Sequence, residues 1–212
     1  MKSSNGSNSG ENVGSVDNNN NKQEDSWCLE SGLDMLMLLL YAEGSSGKVG
    51  EAIEGITRLD KIMFLLSQSK EFSQVVNTNY DFQPDNFGPF APELFDDLQA
   101  LKQEKIVDST VKVNINKIET VDAESTEKEF EGPEIRISWK KYPLETYKLT
   151  ELGMKIASQL YANLPESKKQ ELKKIKAKFG QMSLNNLLYY VYSTAPSRML
   201  EKSKIKKDVL GE

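Results

Sequence analysis

Phe87-Gly88-Pro89-Phe90-Ala91-Pro92-Glu93-Leu94 is the stretch that decides the fold of this chain. Gly88 and Pro89 between two aromatic residues mark a tight turn, because glycine tolerates backbone angles that other residues avoid and proline fixes its own φ. Pro92 suits the first position of a helix, where an N–H would lack an intrahelical partner anyway. Leu94, Leu98 and Leu101 follow at helical spacing and carry that helix to about Lys105.

Upstream, Leu59, Ile62, Met63 and Leu66 form one apolar face of a second helix. Thr57 is its expected N-cap, with Asp60 three positions on in a variant of the capping box. Arg58 and Lys61 lie off that face, where a solvated position is the plain reading. Residues 70 to 91 read as irregular, with Phe72, Tyr80, Phe82, Phe87 and Phe90 set among Asn, Asp and Pro. Further back, Leu33 to Glu43 is apolar on nearly every side, the pattern of a central core helix. Gly44 is its expected C′ cap.

Downstream, Val111, Val113 and Ile115 alternate with polar residues, and so do Ile135, Ile137 and Trp139. Both segments read as half-buried strands. Between them, Glu119 to Gly132 carries six Asp or Glu against Lys128 alone, an acidic wing-like tip. Tyr147-Lys148-Leu149 is a short extended piece, and Thr150 caps a helix using Leu152, Ile156 and Leu160. Leu172, Ile175 and Phe179 share one later helical face, and Leu184, Leu187, Leu188 and Val191 share another. Ala195-Pro196 breaks that last helix, and Ser203 to Val209 reads as a final basic helical turn.

Three helices, a β-hairpin with a wing, then more helices predict a mainly α fold with a small antiparallel hairpin. That is a winged-helix-like domain with a C-terminal helical extension. The expected division is an Asn/Ser-rich tail at 1–26, the winged-helix-like domain at 27–163 with its wing tip at about 119–132, and a basic helical extension at 164–212. The tail holds too little apolar surface to offset its ordering entropy and is expected to be disordered.

Composition narrows the function. The 212 residues contain one cysteine, Cys28, so an intramolecular disulfide and a thiolate cluster are excluded. They contain no histidine. The commonest general base and metal ligand is therefore missing, and with it Ser-His and Cys-His nucleophile pairs. Carboxylate, lysine or tyrosine chemistry stays open, but the expectation is a non-enzymatic protein without cofactor or metal. No signal peptide is apparent, and the longest apolar run, Met35 to Ala42, is too short to span a bilayer. The expected location is the cytoplasm, with no membrane partner.

Net charge is −5, unevenly placed. Pro165 to Glu212 holds eleven Lys or Arg against five Asp or Glu, a surplus of +6, so the remainder carries −11.

Gly55-Ile56-Thr57-Arg58-Leu59-Asp60-Lys61-Ile62-Met63-Phe64-Leu65-Leu66, the Phe87 to Leu94 stretch and Tyr147-Lys148-Leu149-Thr150-Glu151-Leu152-Gly153 together resemble the YwgA-like and SocA-like (Panacea) group of prokaryotic proteins. The likeness covers about residues 33 to 160, and Leu187 to Pro196 is similar to the tail of longer archaeal members. Ala91 departs from the pattern where the group carries a capping serine or similar residue, and Asp60 replaces a commoner polar amide. The resemblance implies a winged-helix relative with an antitoxin-like or regulatory role. It does not fix the partner.

Candidate contact residues follow. Phe87 and Phe90 on a rigid turn are suitable anchors for a protein partner, although such aromatics more often plug a core. Arg58 and Lys61 are candidates for contact with a partner's carboxylates. Lys202, Lys204, Lys206 and Lys207 are the candidates for DNA phosphates. Docking of the third helix in a major groove is disfavoured by Glu93, Asp96 and Asp97 at its start. The long gap before that helix also departs from the short turn of a helix-turn-helix. Tyr189, Tyr190 and Tyr192 are expected at a helix–helix or homodimer contact. The leading expectation is a regulator of the antitoxin or adaptor type that binds a protein, such as a toxin or neighbouring gene product. The alternative is a DNA-binding transcriptional regulator that uses the basic C-terminal region and acts on its own operon.

Overall fold

The structure, a computed structural model, describes residues 31–73, 80–112 and 144–211. The N-terminal tail, the wing tip at 119–132 and the expected strand Ile135 to Lys140 lie outside the described residues. Within them the chain is mainly helical, with a small three-stranded antiparallel sheet and a two-stranded hairpin.

Helix α1 (Gly32–Tyr41) starts in a capping box between Ser31 and Asp34. Met35 through Leu40 are all buried, so this is the core helix its composition predicts. It ends before Glu43, and Gly44 is not its cap. The N–H of Ala42 closes the last turn on the Leu38 carbonyl. The ammonium of Lys176 takes the carbonyls of Leu40 and Ala42 at 2.7 and 2.8 Å. A lysine from a distant helix thus satisfies carbonyls that a glycine cap would otherwise turn back on the chain.

Strand β1 (Ile53–Glu54) runs directly into α2 (Ile56–Gln68) through Gly55, whose φ of 89° only glycine adopts readily. The helix therefore begins ahead of Thr57, and Thr57 does not cap it. Residues Leu59 through Ser67 are all buried, not one face alone. Of the two residues expected to be solvated, Arg58 meets the end of helix α5 (Glu166–Phe179) and Lys61 meets Pro89, and helix α6 (Leu184–Thr194) also packs on α2.

The segment expected to be irregular contains an antiparallel hairpin, β2 (Gln83–Asp85) and β3 (Gly88–Phe90), joined by Asn86 and Phe87. Pro84 faces Pro89 across it, a pairing that two residues without N–H can make only where the ladder needs no donor. Helix α3 (Pro92–Gln103) follows, with proline in its first turn and Leu94, Leu98 and Leu101 buried as the spacing predicts.

Strand β4 (Val107–Lys112) pairs antiparallel with β5 (Leu144–Leu149), and β5 pairs with β1, giving the order β1-β5-β4. Tyr147 to Leu149 is thus the end of the central strand. Val111, expected to face inward, is 47% exposed opposite Glu145. Helix α4 (Glu151–Ala162) is capped by Thr150, which accepts from the Gly153 N–H at 3.1 Å. Its buried face is Gly153 and Ala157, while Leu152 is 51% exposed. The small residues let α4 approach closely, and a Cβ on Gly153 would stand 2.2 Å from the Ile106 carbonyl oxygen.

After α6 the chain breaks at Ala195-Pro196, makes a short 3-10 turn at Ser197–Leu200 and ends in α7 (Lys206–Leu210). One hydrophobic cluster runs from Met35 in α1 to Val209 in α7. The extension at 164–212 shares that core with the segment before it.

Candidate functional site

The Phe87 turn is held from beneath by two buried charges. Asp60 and Lys61 of α2 are 2% and 1% exposed and pair at 2.8 Å. Lys61 also donates to the Pro89 carbonyl, and Asp60 accepts the Ala91 N–H at 3.3 Å. Burial raises the pKa of the Asp60 carboxyl, opposed by the Lys61 ammonium and the Ala91 N–H. Asp60 therefore does two jobs that the sequence assigned elsewhere. It is not part of a capping box for α2, and it binds the backbone at Ala91, whose own side chain caps nothing. Lys61 is neither solvated nor placed to meet a partner, because its charge is consumed inside the fold.

The same turn is held from the side by the C-terminal segment. The Asn86 carbonyl accepts from the Lys204 N–H at 2.9 Å and from the Ser203 hydroxyl at 3.3 Å. Ser203 in turn shares a hydrogen bond of 2.7 Å with the Tyr192 hydroxyl. Gly88, with φ 83°, lies against the Tyr192 ring, and a Cβ there would stand 3.0 Å from it. Tyr192 therefore packs on the turn rather than at the helix–helix or homodimer contact expected of it.

With base and flank fixed, the two phenylalanines part company. Phe90 is half-buried and tilts against Phe95 with ring centroids 5.0 Å apart. Phe87 at the tip is 43% exposed. Lys202 and Lys204 are exposed beside the Asn86 contact, Lys207 is exposed in α7, and Lys206 is half-buried. Two segments far apart in sequence, the aromatic turn and the basic tail, thus meet at Asn86. A cavity of about 280 Å³ lies between β2 and the 3-10 turn, lined by Asp81, Gln83, Arg198 and Glu201 over Phe82 and Met199.

Arg58 takes no part in this contact. Its guanidinium donates to the Glu54 carbonyl at 2.8 Å and to the carbonyls of Phe179 and Met182, tying α2 to the end of α5. The lysines of α5 are also largely committed. Lys168 donates to the Glu71 carbonyl and lies 4.8 Å from the Phe72 ring centre. Lys173 pairs with Glu43 at 3.1 Å. Lys176 is 1% exposed, and burial lowers its pKa to about 7, with Glu51 opposing the fall.

Sequence reasoning missed Asp60 and Lys176 as buried groups. Lys176 had a signal, since it lies on the stripe defined by Leu172, Ile175 and Phe179. Asp60 had none, because its burial depends on the hairpin and the Ala91 backbone, some thirty residues on, packing over that side of α2. Comparison with family models, with curated proteins and with solved structures found no match for this chain.

Proposed function

We propose that this chain is a non-enzymatic binding protein of the antitoxin or adaptor type, whose winged-helix-like module contacts a protein partner through the Phe87 turn. The exposure of Phe87 carries this reading. A large aromatic side chain stands out on a turn fixed from beneath by Lys61 and from the side by Ser203 and Lys204. A preorganised aromatic anchor of this kind loses little entropy on binding. The winged-helix-like assignment is supported by the sheet order β1-β5-β4 with α2 and α3 between β1 and β4, and by the resemblance to the SocA-like group. In sequence the acidic stretch Glu119 to Gly132 falls between β4 and β5.

A DNA-binding role is the second reading, favoured by the exposed Lys202, Lys204 and Lys207. Glu93 and Asp96 are exposed in the opening turns of α3 and oppose phosphate there, so such binding would rest on the C-terminal surface. Affinity purification of the full chain from its native host, beside the Phe87→Asp variant, tests the first reading. A specific protein retained by the wild type and lost by the variant is expected. Equal retention by both, or no enriched protein, overturns it. Gel shifts of duplex DNA at low salt, weakened by Lys202→Glu and Lys204→Glu, would instead support the second.

A further inference from the structure

On another part of the molecule, α2, α5 and α6 enclose an open groove of about 420 Å³. Edges of Leu65, Ile175 and Phe179 form its floor, and all three are otherwise buried. Its rim is basic. Lys174 and Lys178, one helical turn apart on α5, both line the groove and are both exposed. The only carboxylate in the lining, Glu171, is paired with Lys174 at 3.3 Å. The Lys178 ammonium stands over two rings, 4.3 Å from the centre of Tyr190 and 4.9 Å from that of Phe179. These contacts hold the ammonium over the two rings without neutralising it, because an aromatic face attracts a cation but carries no net charge.

We infer that this groove docks an acidic amphipathic helix of a protein partner, with apolar side chains against Leu65, Ile175 and Phe179 and carboxylates toward Lys174 and Lys178. The spacing supports that occupant. Residues four apart on a helix lie about 5–6 Å from each other on one face, so carboxylates at i and i+4 of an incoming helix match lysines at i and i+4 of α5. Helix-in-groove recognition uses the same periodicity for its apolar anchors. A nucleic acid fits less well, since the apolar floor offers nothing to phosphates and Glu171 lies beside Lys174. The groove is independent of the Phe87 turn, and its occupancy does not require the binding mode proposed above.

Selection of a displayed library of helical peptides on the full-length chain tests the inference. Enriched peptides should pair Asp or Glu at i and i+4 with an apolar stripe. They should bind Lys174→Glu/Lys178→Glu at least about tenfold more weakly. They should also be blocked by Gln68→Trp, which fills the groove from an exposed rim position, and unaffected by Phe87→Asp. Peptides with those acids changed to lysine should recover binding to the double charge-reversal variant. The inference is overturned if no peptide is enriched, if the enriched peptides lack acidic pairs, or if the groove variants bind them as the wild type does. Loss of binding to Phe87→Asp alone would place the peptides on the turn and overturn it equally.

Discussion

The ammonium of Lys61 donates to the carbonyl oxygen of Pro89, so a charge on α2 holds the backbone of a turn that follows more than twenty residues later. Removing it leaves the Asp60 carboxyl buried without its cation. Lys61→Met should cost about 3–5 kcal/mol of stability, read as a lower urea midpoint. Because the larger part of that loss is the stranded carboxylate, Asp60→Asn combined with Lys61→Met should recover part of it.

Gly88 allows the turn to pass close to Tyr192. Gly88→Ala meets two obstacles: a φ of 83° that costs an L-residue roughly 1–2 kcal/mol, and a Cβ only 3.0 Å from the Tyr192 ring. The variant should unfold at lower urea and exchange amide hydrogens faster across residues 83–90 than the wild type.

Lys176 makes stability depend on pH in an uncommon direction. Burial lowers its pKa to about 7 in the folded chain, whereas the unfolded chain keeps an ordinary lysine pKa near 10.4. Between those values the unfolded state binds a proton that the folded state has released, so stability rises as pH goes from 7 toward 10. Above pH 10 the sign reverses. Burial raises the pKa of Tyr80, Tyr147, Tyr161 and Tyr192, so the fold keeps protons that the unfolded chain loses. Urea midpoints across this range should show a maximum near pH 10, and Lys176→Met should flatten the rising limb.

These residues show what could be read from the sequence and what could not. The apolar helix at Met35–Leu40, the leucine spacing of α3, the Thr150 cap and the break at Ala195-Pro196 depend on neighbours within a turn or two, and the sequence patterns placed them correctly. The burial of Lys61 and Lys176 depends on contacts between distant segments, whereas the hairpin at 83–90 is local but its prolines and short strands lack the alternating apolar pattern that marks a strand. Local periodicity sees one face of α2 and cannot report that distant segments cover the rest. The meeting of the Phe87 turn with the C-terminal segment arises in the same way, through Asn86, Ser203 and Tyr192. Phe87 and Phe90 looked equivalent in sequence, and the fold separates them by exposure, with Phe90 half-buried against Phe95 and Phe87 43% exposed.

The most direct test of the Phe87 turn as a partner surface is a calorimetric titration of the purified partner into the wild-type chain and into Phe87→Asp. An anchor residue of this kind predicts a loss of at least about 2 kcal/mol, near thirtyfold in affinity, with an unchanged urea midpoint. Affinities within about twofold of each other would contradict the central claim.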